Sequence, residues 1–120
     1  MVSVAVASTV SPQRGAAPID LVHLSRRTLG DRDLEREDLS LFVRQCELYL
    51  ERLHRAKDIA ARTTAAHALA GSAQAVGAFG VAREAFAIEG SVDAVFDCGS
   101  LDRAVMKASD YVGRLLSKAS

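Results

Sequence analysis

From residue 18 onward the apolar positions recur at the three-and-four spacing that lines one face of an α-helix, and strand signals are poor. A short helix is expected from near Asp20, with Leu21, Leu24 and Leu29 as its apolar markers and Gly30 as its stop. Asp31 is placed to cap a second helix, whose first turns carry Asp33, Glu35, Glu37 and Asp38 where negative charge suits a helix N-terminus. Leu39, Phe42, Cys46, Tyr49, Leu53 and Ala56 then form one stripe, running to about Lys57. Asp58 is a cap for a third helix in which Ile59, Arg62 or Thr63, Ala66, Leu69, Ala73 and Val76 point inward until Gly77 and Gly80. A fourth segment spans about Val81 to Glu89. After a loop around Cys98 and Gly99, Ser100 is the expected cap of a fifth helix with Leu101, Val105, Ala108, Val112 and Leu115 inward. Short connections make neighbours antiparallel, so the expected fold is all-α: an up-and-down antiparallel four-helix bundle with a short N-terminal accessory helix.

Residues 1–17, with small side chains, Pro12 and Gly15, show no helical period and read as a flexible leader to a single domain over 18–118. The absence of proline after Pro18 leaves about a hundred residues free for helices. Lysine plus arginine balance aspartate plus glutamate at 15 each, and no basic block occurs, so a protein partner is expected rather than nucleic acid. The apolar opening lacks a charged n-region and is too short to span a bilayer, which argues against membrane insertion and secretion. Cys46 and Cys98, outside any CxxC pair, read as reduced packing residues of a cytoplasmic, monomeric protein.

The chemistry concentrates in Ala66–Ala78. His67 falls off the buried stripe, and Ala70, Gly71 and Gln74 follow it at the spacing of one outward strip. Glycine in a helix interior costs about 0.5 to 1 kcal/mol relative to alanine, so Gly71, one turn after an exposed histidine, suggests that something bulky approaches the ring. A neutral imidazole is nucleophilic near pH 7 at one nitrogen while the other keeps a hydrogen-bonded proton. Phosphoryl transfer depends mainly on positioning and charge stabilisation, so a shallow helical site suffices if a partner brings the remaining groups.

This stretch resembles the signature of histidine phosphotransfer (HPt) domains, His-x-Leu-Lys-Gly-(Ser or Ala)-Ala followed by Gly-Ala, with His67, Leu69, Gly71, Ser72, Ala73, Gly77 and Ala78 in register. Ile19-Asp20-Leu21, Leu29-Gly30-Asp31, Leu34 and Leu41-Phe42 are also similar to the start of bacterial members, so the resemblance covers about residues 18 to 117. It implies a phosphocarrier of a multistep two-component relay, phosphorylated on Nε2 of His67, with response-regulator receiver domains and a hybrid sensor histidine kinase as partners. It further implies that Mg2+ belongs to the receiver, that this chain holds no cofactor or metal of its own, that Gly71 leaves room beside the ring, that Ser72 lies near the site, and that Glu89 orients the imidazole.

The chain departs from the pattern at Ala70, where the family carries a lysine near the phosphoryl oxygens; Arg62, Arg83 or a partner's cation are the candidates to compensate, and restoring the lysine is expected to raise the transfer rate. With neither a Gly-rich phosphate loop nor a kinase signature, the protein is not expected to be an enzyme or to autophosphorylate. A phosphorylation-independent module that docks on and inhibits a kinase or receiver is the alternative. His23 and His54 read as ordinary residues, and Leu41, Leu48 and Val22 as an apolar surface available for docking.

Overall fold

The computed structural model describes residues 17–91 and 97–119, so the leader apart from Ala17 lies outside the described residues. Among the described residues there are five helices and no strand: α1 (Leu21–Thr28), α2 (Arg32–Arg55), α3 (Ile59–Val76), α4 (Phe79–Glu89) and α5 (Gly99–Ala119). The helix starts follow side-chain chemistry. Asp20 Oδ1 accepts from the N–H groups of Val22 and His23, Asp31 Oδ1 from Leu34, and Asp58 Oδ1 from Ala61 at 2.8 Å, each satisfying donors that a helix N-terminus leaves open. The fifth start differs from expectation. Helix α5 begins at Gly99, whose N–H donates to Asp97 Oδ1, while the Ser100 hydroxyl accepts from Arg103 within the first turn.

One core unites the helices. Leu39, Phe42, Cys46 and Leu53 of α2, Leu69, Ala73 and Val76 of α3, Val81, Ala85 and Ile88 of α4, and Leu101, Val105, Ala108 and Val112 of α5 are all buried together. Helix α3 packs on α2 and α4, α5 packs on α4 and α2, and α1 lies against α2 and α3. Near the start of α2, Arg36 donates to the carbonyl of Leu116 near the end of α5. Near the end of α2, His54 meets Asp102 near the start of α5, so these two helices run in opposite directions.

Three of the apolar positions named from the sequence are exposed. Leu21 and Leu29 are exposed and Leu24 alone of the markers is buried, because the segment docks instead through Leu24 and Ile19, the residue before its cap. Leu29 ends α1 in a left-handed conformation, φ 55°, with Gly30 following at φ 79°; its N–H returns to the Arg26 carbonyl and its side chain is turned out to solvent. Ile59, on the first turn of α3, is also exposed: it precedes the point at which the helix comes under α2 and α4. Between Arg62 and Thr63, arginine is the buried one; its guanidinium donates to the Ser91 carbonyl at 2.8 Å, tying α3 to the chain leaving α4.

Gly77 closes the α3–α4 turn. It has φ 83°, and a Cβ there would lie 2.8 Å from the Asp20 carbonyl oxygen, while the Asp20 N–H donates to the Gly77 carbonyl. A side chain at this position meets both backbone strain and a backbone wall. Gly80, by contrast, lies within α4, which starts at Phe79. Gly77→Ala is expected to lower stability by about 1–3 kcal/mol, read as a lower urea midpoint. Burial, with a smaller contribution from Glu47, pushes the Cys46 thiol up to about 12. Iodoacetamide at pH 8 is therefore expected to leave Cys46 unmodified in the native protein and to alkylate it in urea, read by mass spectrometry.

Candidate functional site

Helix α3 carries an unusual load of alanine on its inner side: Ala65, Ala66, Ala70 and Ala73 are all buried. Side chains this small let α4 lie close against it. The tight turn at Gly77–Ala78 sends α4 back along α3, and the residues that meet, His67 and Glu89, stand at nearly equal chain distances from that turn. His67 Nδ1 is 2.8 Å from Glu89 Oε2. The His67 side chain keeps 72% of its surface exposed, against 26% for Glu89. The carboxylate is thus set into the groove between the helices, and the ring stands above it.

A carboxylate only accepts hydrogen bonds, so the proton on this contact belongs to Nδ1. In the neutral ring the lone pair then lies on Nε2, the nitrogen directed away from Glu89. Glu89 holds the ring's orientation and tautomer, and its negative charge stabilises any positive charge the ring acquires, as the carboxylate of a catalytic triad does for its histidine. The pair holds an oriented imidazole on an open surface.

Gly71 is exposed one turn after His67, and a Cβ built on it meets nothing within 4 Å. The packing around this position therefore does not require glycine. Ala70 corrects the sequence reading: it is fully buried, on the side of α3 turned toward the core, and does not share the outward strip of His67, Gly71 and Gln74. Alanine gives no polarity signal by which to tell a buried position from an exposed one. A lysine at 70 has to thread its stem out from beneath the surface, which withdraws the simple expectation of a rate gain from that substitution. Ser72 is half-buried about 140° round the helix from His67.

Of the two arginines considered as compensating cations, Arg62 is only 2% exposed and holds the Ser91 carbonyl, which takes it out of that role. Arg83 is exposed on α4, about 9 Å along the axis from Glu89 toward the Gly77 turn. Two features went unread in the sequence. His54 Nε2 lies 3.0 Å from Asp102 Oδ1, a pairing of residues far apart in the chain that nothing local announces. There the outer nitrogen is the one engaged, the reverse of His67. Phe86, one turn before Glu89, is 42% exposed, a large apolar side chain beside a polar site. His23 packs edge-on against Phe79 with ring centroids 5.1 Å apart, and Val22, Leu41 and Leu48 are exposed.

A groove lined by Pro18, Leu21, Phe79, Lys107 and Tyr111 lies toward the other end of α4 and includes neither His67 nor Glu89. Among the described residues no group of three or more His, Cys, Asp or Glu side chains is arranged to hold a metal, and no helix is long and apolar enough to cross a membrane. Comparison with protein-family models, curated proteins and solved structures finds no match to this chain. Gly71→Ala is expected to raise stability by about 0.5 to 1 kcal/mol in urea denaturation, since it adds helix propensity without a clash.

Proposed function

We propose that this protein is a phosphocarrier of the HPt type, in which His67 accepts a phosphoryl group from a receiver aspartate and passes it to another receiver. The observation that carries the reading is the Nδ1–Glu89 hydrogen bond at 2.8 Å on an otherwise exposed ring, which leaves Nε2 as the outward nucleophile. The resemblance around His67, Gly71 and Ser72 supports it independently of that geometry. The antiparallel pairs α2–α5 and α3–α4 support, as part of the same proposal, an up-and-down four-helix bundle of α2 to α5 with α1 as the accessory helix.

In this reading Nε2 attacks the phosphorus of the aspartyl phosphate, the P–O bond to the aspartate breaks, and the carboxylate leaves with the bond's electron pair. The N–P bond makes the ring cationic. Nδ1 keeps its proton, and Glu89 offsets the new charge. The reverse step regenerates the neutral imidazole and delivers the phosphoryl group to a second receiver. Mg2+ acts on the receiver's side of the complex, and the carrier, cytoplasmic and monomeric, needs neither ATP site nor cofactor. The competing reading, a module that docks on a kinase or receiver and blocks it without phosphorylation, gains from one observation: the position where the family carries lysine is a buried alanine, Ala70.

Incubation with a radiolabelled phospho-receiver and Mg2+ is expected to label the wild type in an acid-labile, base-stable form and to leave His67→Gln dark. A wild type that binds receivers and takes no label establishes the docking module instead. Glu89→Ala is expected to slow transfer by about tenfold or more, and Glu89→Gln by less, because the amide oxygen still accepts from Nδ1 while losing the charge.

A further inference from the structure

Two of the three histidines stand on open surface with one ring nitrogen against a carboxylate. At His67 the engaged nitrogen is Nδ1, 2.8 Å from Glu89 Oε2; at His54 it is Nε2, 3.0 Å from Asp102 Oδ1. The His54 contact joins the last turn of α2 to the first turn of α5, a different helix pair from the one that holds His67. Its two side chains keep 50% and 40% of their surface exposed. The carboxylate one turn earlier on α2, Glu51, is taken by Arg55 at 3.2 Å. Among the described residues, Nδ1 of His54 has no hydrogen-bond partner.

An exposed ion pair contributes little to stability. What this one decides is a tautomer. A carboxylate only accepts, so the proton of the contact lies on Nε2, and in the neutral ring the lone pair lies on Nδ1. We propose that His54 is a second phosphoacceptor of this chain, taking a phosphoryl group from a small donor of the phosphoramidate class on Nδ1, with Asp102 as the positioning residue. The class of donor follows from the nitrogen. Nδ1 is the ring nitrogen nearer the backbone, so the reacting atom lies close to α2; a donor whose leaving group is no larger than ammonia reaches it, whereas a folded donor domain meets the helix surface first. Nδ1 attacks phosphorus, the P–N bond of phosphoramidate breaks, and its electron pair leaves with ammonia, whose nitrogen already carries the protons it needs. The ring becomes a cation that keeps its proton on Nε2, and Asp102 offsets that charge. His54 needs no receiver for this step, so its reactivity is independent of the phosphocarrier reading of His67. His23, whose ring packs edge-on against Phe79 and meets no carboxylate among the described residues, is the internal control.

The test treats the full chain with phosphoramidate and uses phosphorus NMR to tell the two phosphohistidine isomers apart, each signal being assigned with His23→Gln, His54→Gln and His67→Gln. His54→Gln is expected to lose an Nδ1 signal, His67→Gln an Nε2 signal, and His23→Gln neither. Asp102→Ala is expected to lower the ratio of Nδ1 to Nε2 product at His54 by about tenfold or more, with the His67 signal unchanged and a thermal melt confirming that the fold is kept. The isomer ratio is a readout that a merely structural role for Asp102 would not move. No label on His54 overturns the proposal, as does an Nε2 product there in the wild type, or an isomer ratio that Asp102→Ala leaves alone. Labelling of His23 as fast as His54 also overturns it, because exposure and not orientation then governs the reaction. An Nδ1 product at His54 beside an unlabelled His67 upholds the proposal and counts against the phosphocarrier reading alone.

Discussion

The close seating of α4 against α3 is the constraint on which the site depends. Both helices carry buried side chains of minimal size, Ala66, Ala70 and Ala73 on α3 and Ala82 and Ala85 on α4. Larger residues at these positions would push the helices apart, and an ångström of separation converts a 2.8 Å hydrogen bond into no bond. Glu89 sits on the last residue of α4, so small errors in the angle of that helix are largest where the carboxylate must arrive. Gly77 controls that angle at one end, through its left-handed backbone and its contact with Asp20. Arg62 acts at the other, holding the Ser91 carbonyl just beyond Glu89.

The same packing sets a polar pair into an apolar segment. Helix α3 devotes its inner side to the core and presents His67, Gly71 and Gln74 on the outside, with no charged side chain among those three. The carboxylate that meets the imidazole comes from the neighbouring helix. A histidine held in this way keeps its outer nitrogen in solvent, and a rigid helix holds that nitrogen in place without an enclosing pocket.

Much of this arrangement was legible in the sequence, because helix caps and apolar stripes are local signals. Asp31 and Asp58 were identifiable as caps from their position before periodic segments, and the stripe from Leu39 to Leu53 needed only its spacing. The pairing of His67 with Glu89 was reached by resemblance, and the structure brings these two residues together at hydrogen-bond distance. The misreadings concern residues whose spacing alone does not say which way they face. Ala70 is too featureless to declare its side, Leu29 is turned outward by a left-handed helix end, and Ile59 lies one turn before the helix comes under cover. Arg62 is the instructive case, since a charged residue on a core stripe reads as a phase error until the Ser91 carbonyl supplies its partner.

The tie between Asp20 and Gly77 has a geometric consequence for whatever the polypeptide is joined to. Chain entering at Pro18 meets the helices at the turn between α3 and α4, about 15 Å along the α3 axis from His67. The point where the chain enters and the outward nitrogen of His67 therefore occupy separate stretches of the same helix, so a body joined through Pro18 would leave the helices at the closed end of the α3–α4 pair and not at the ring.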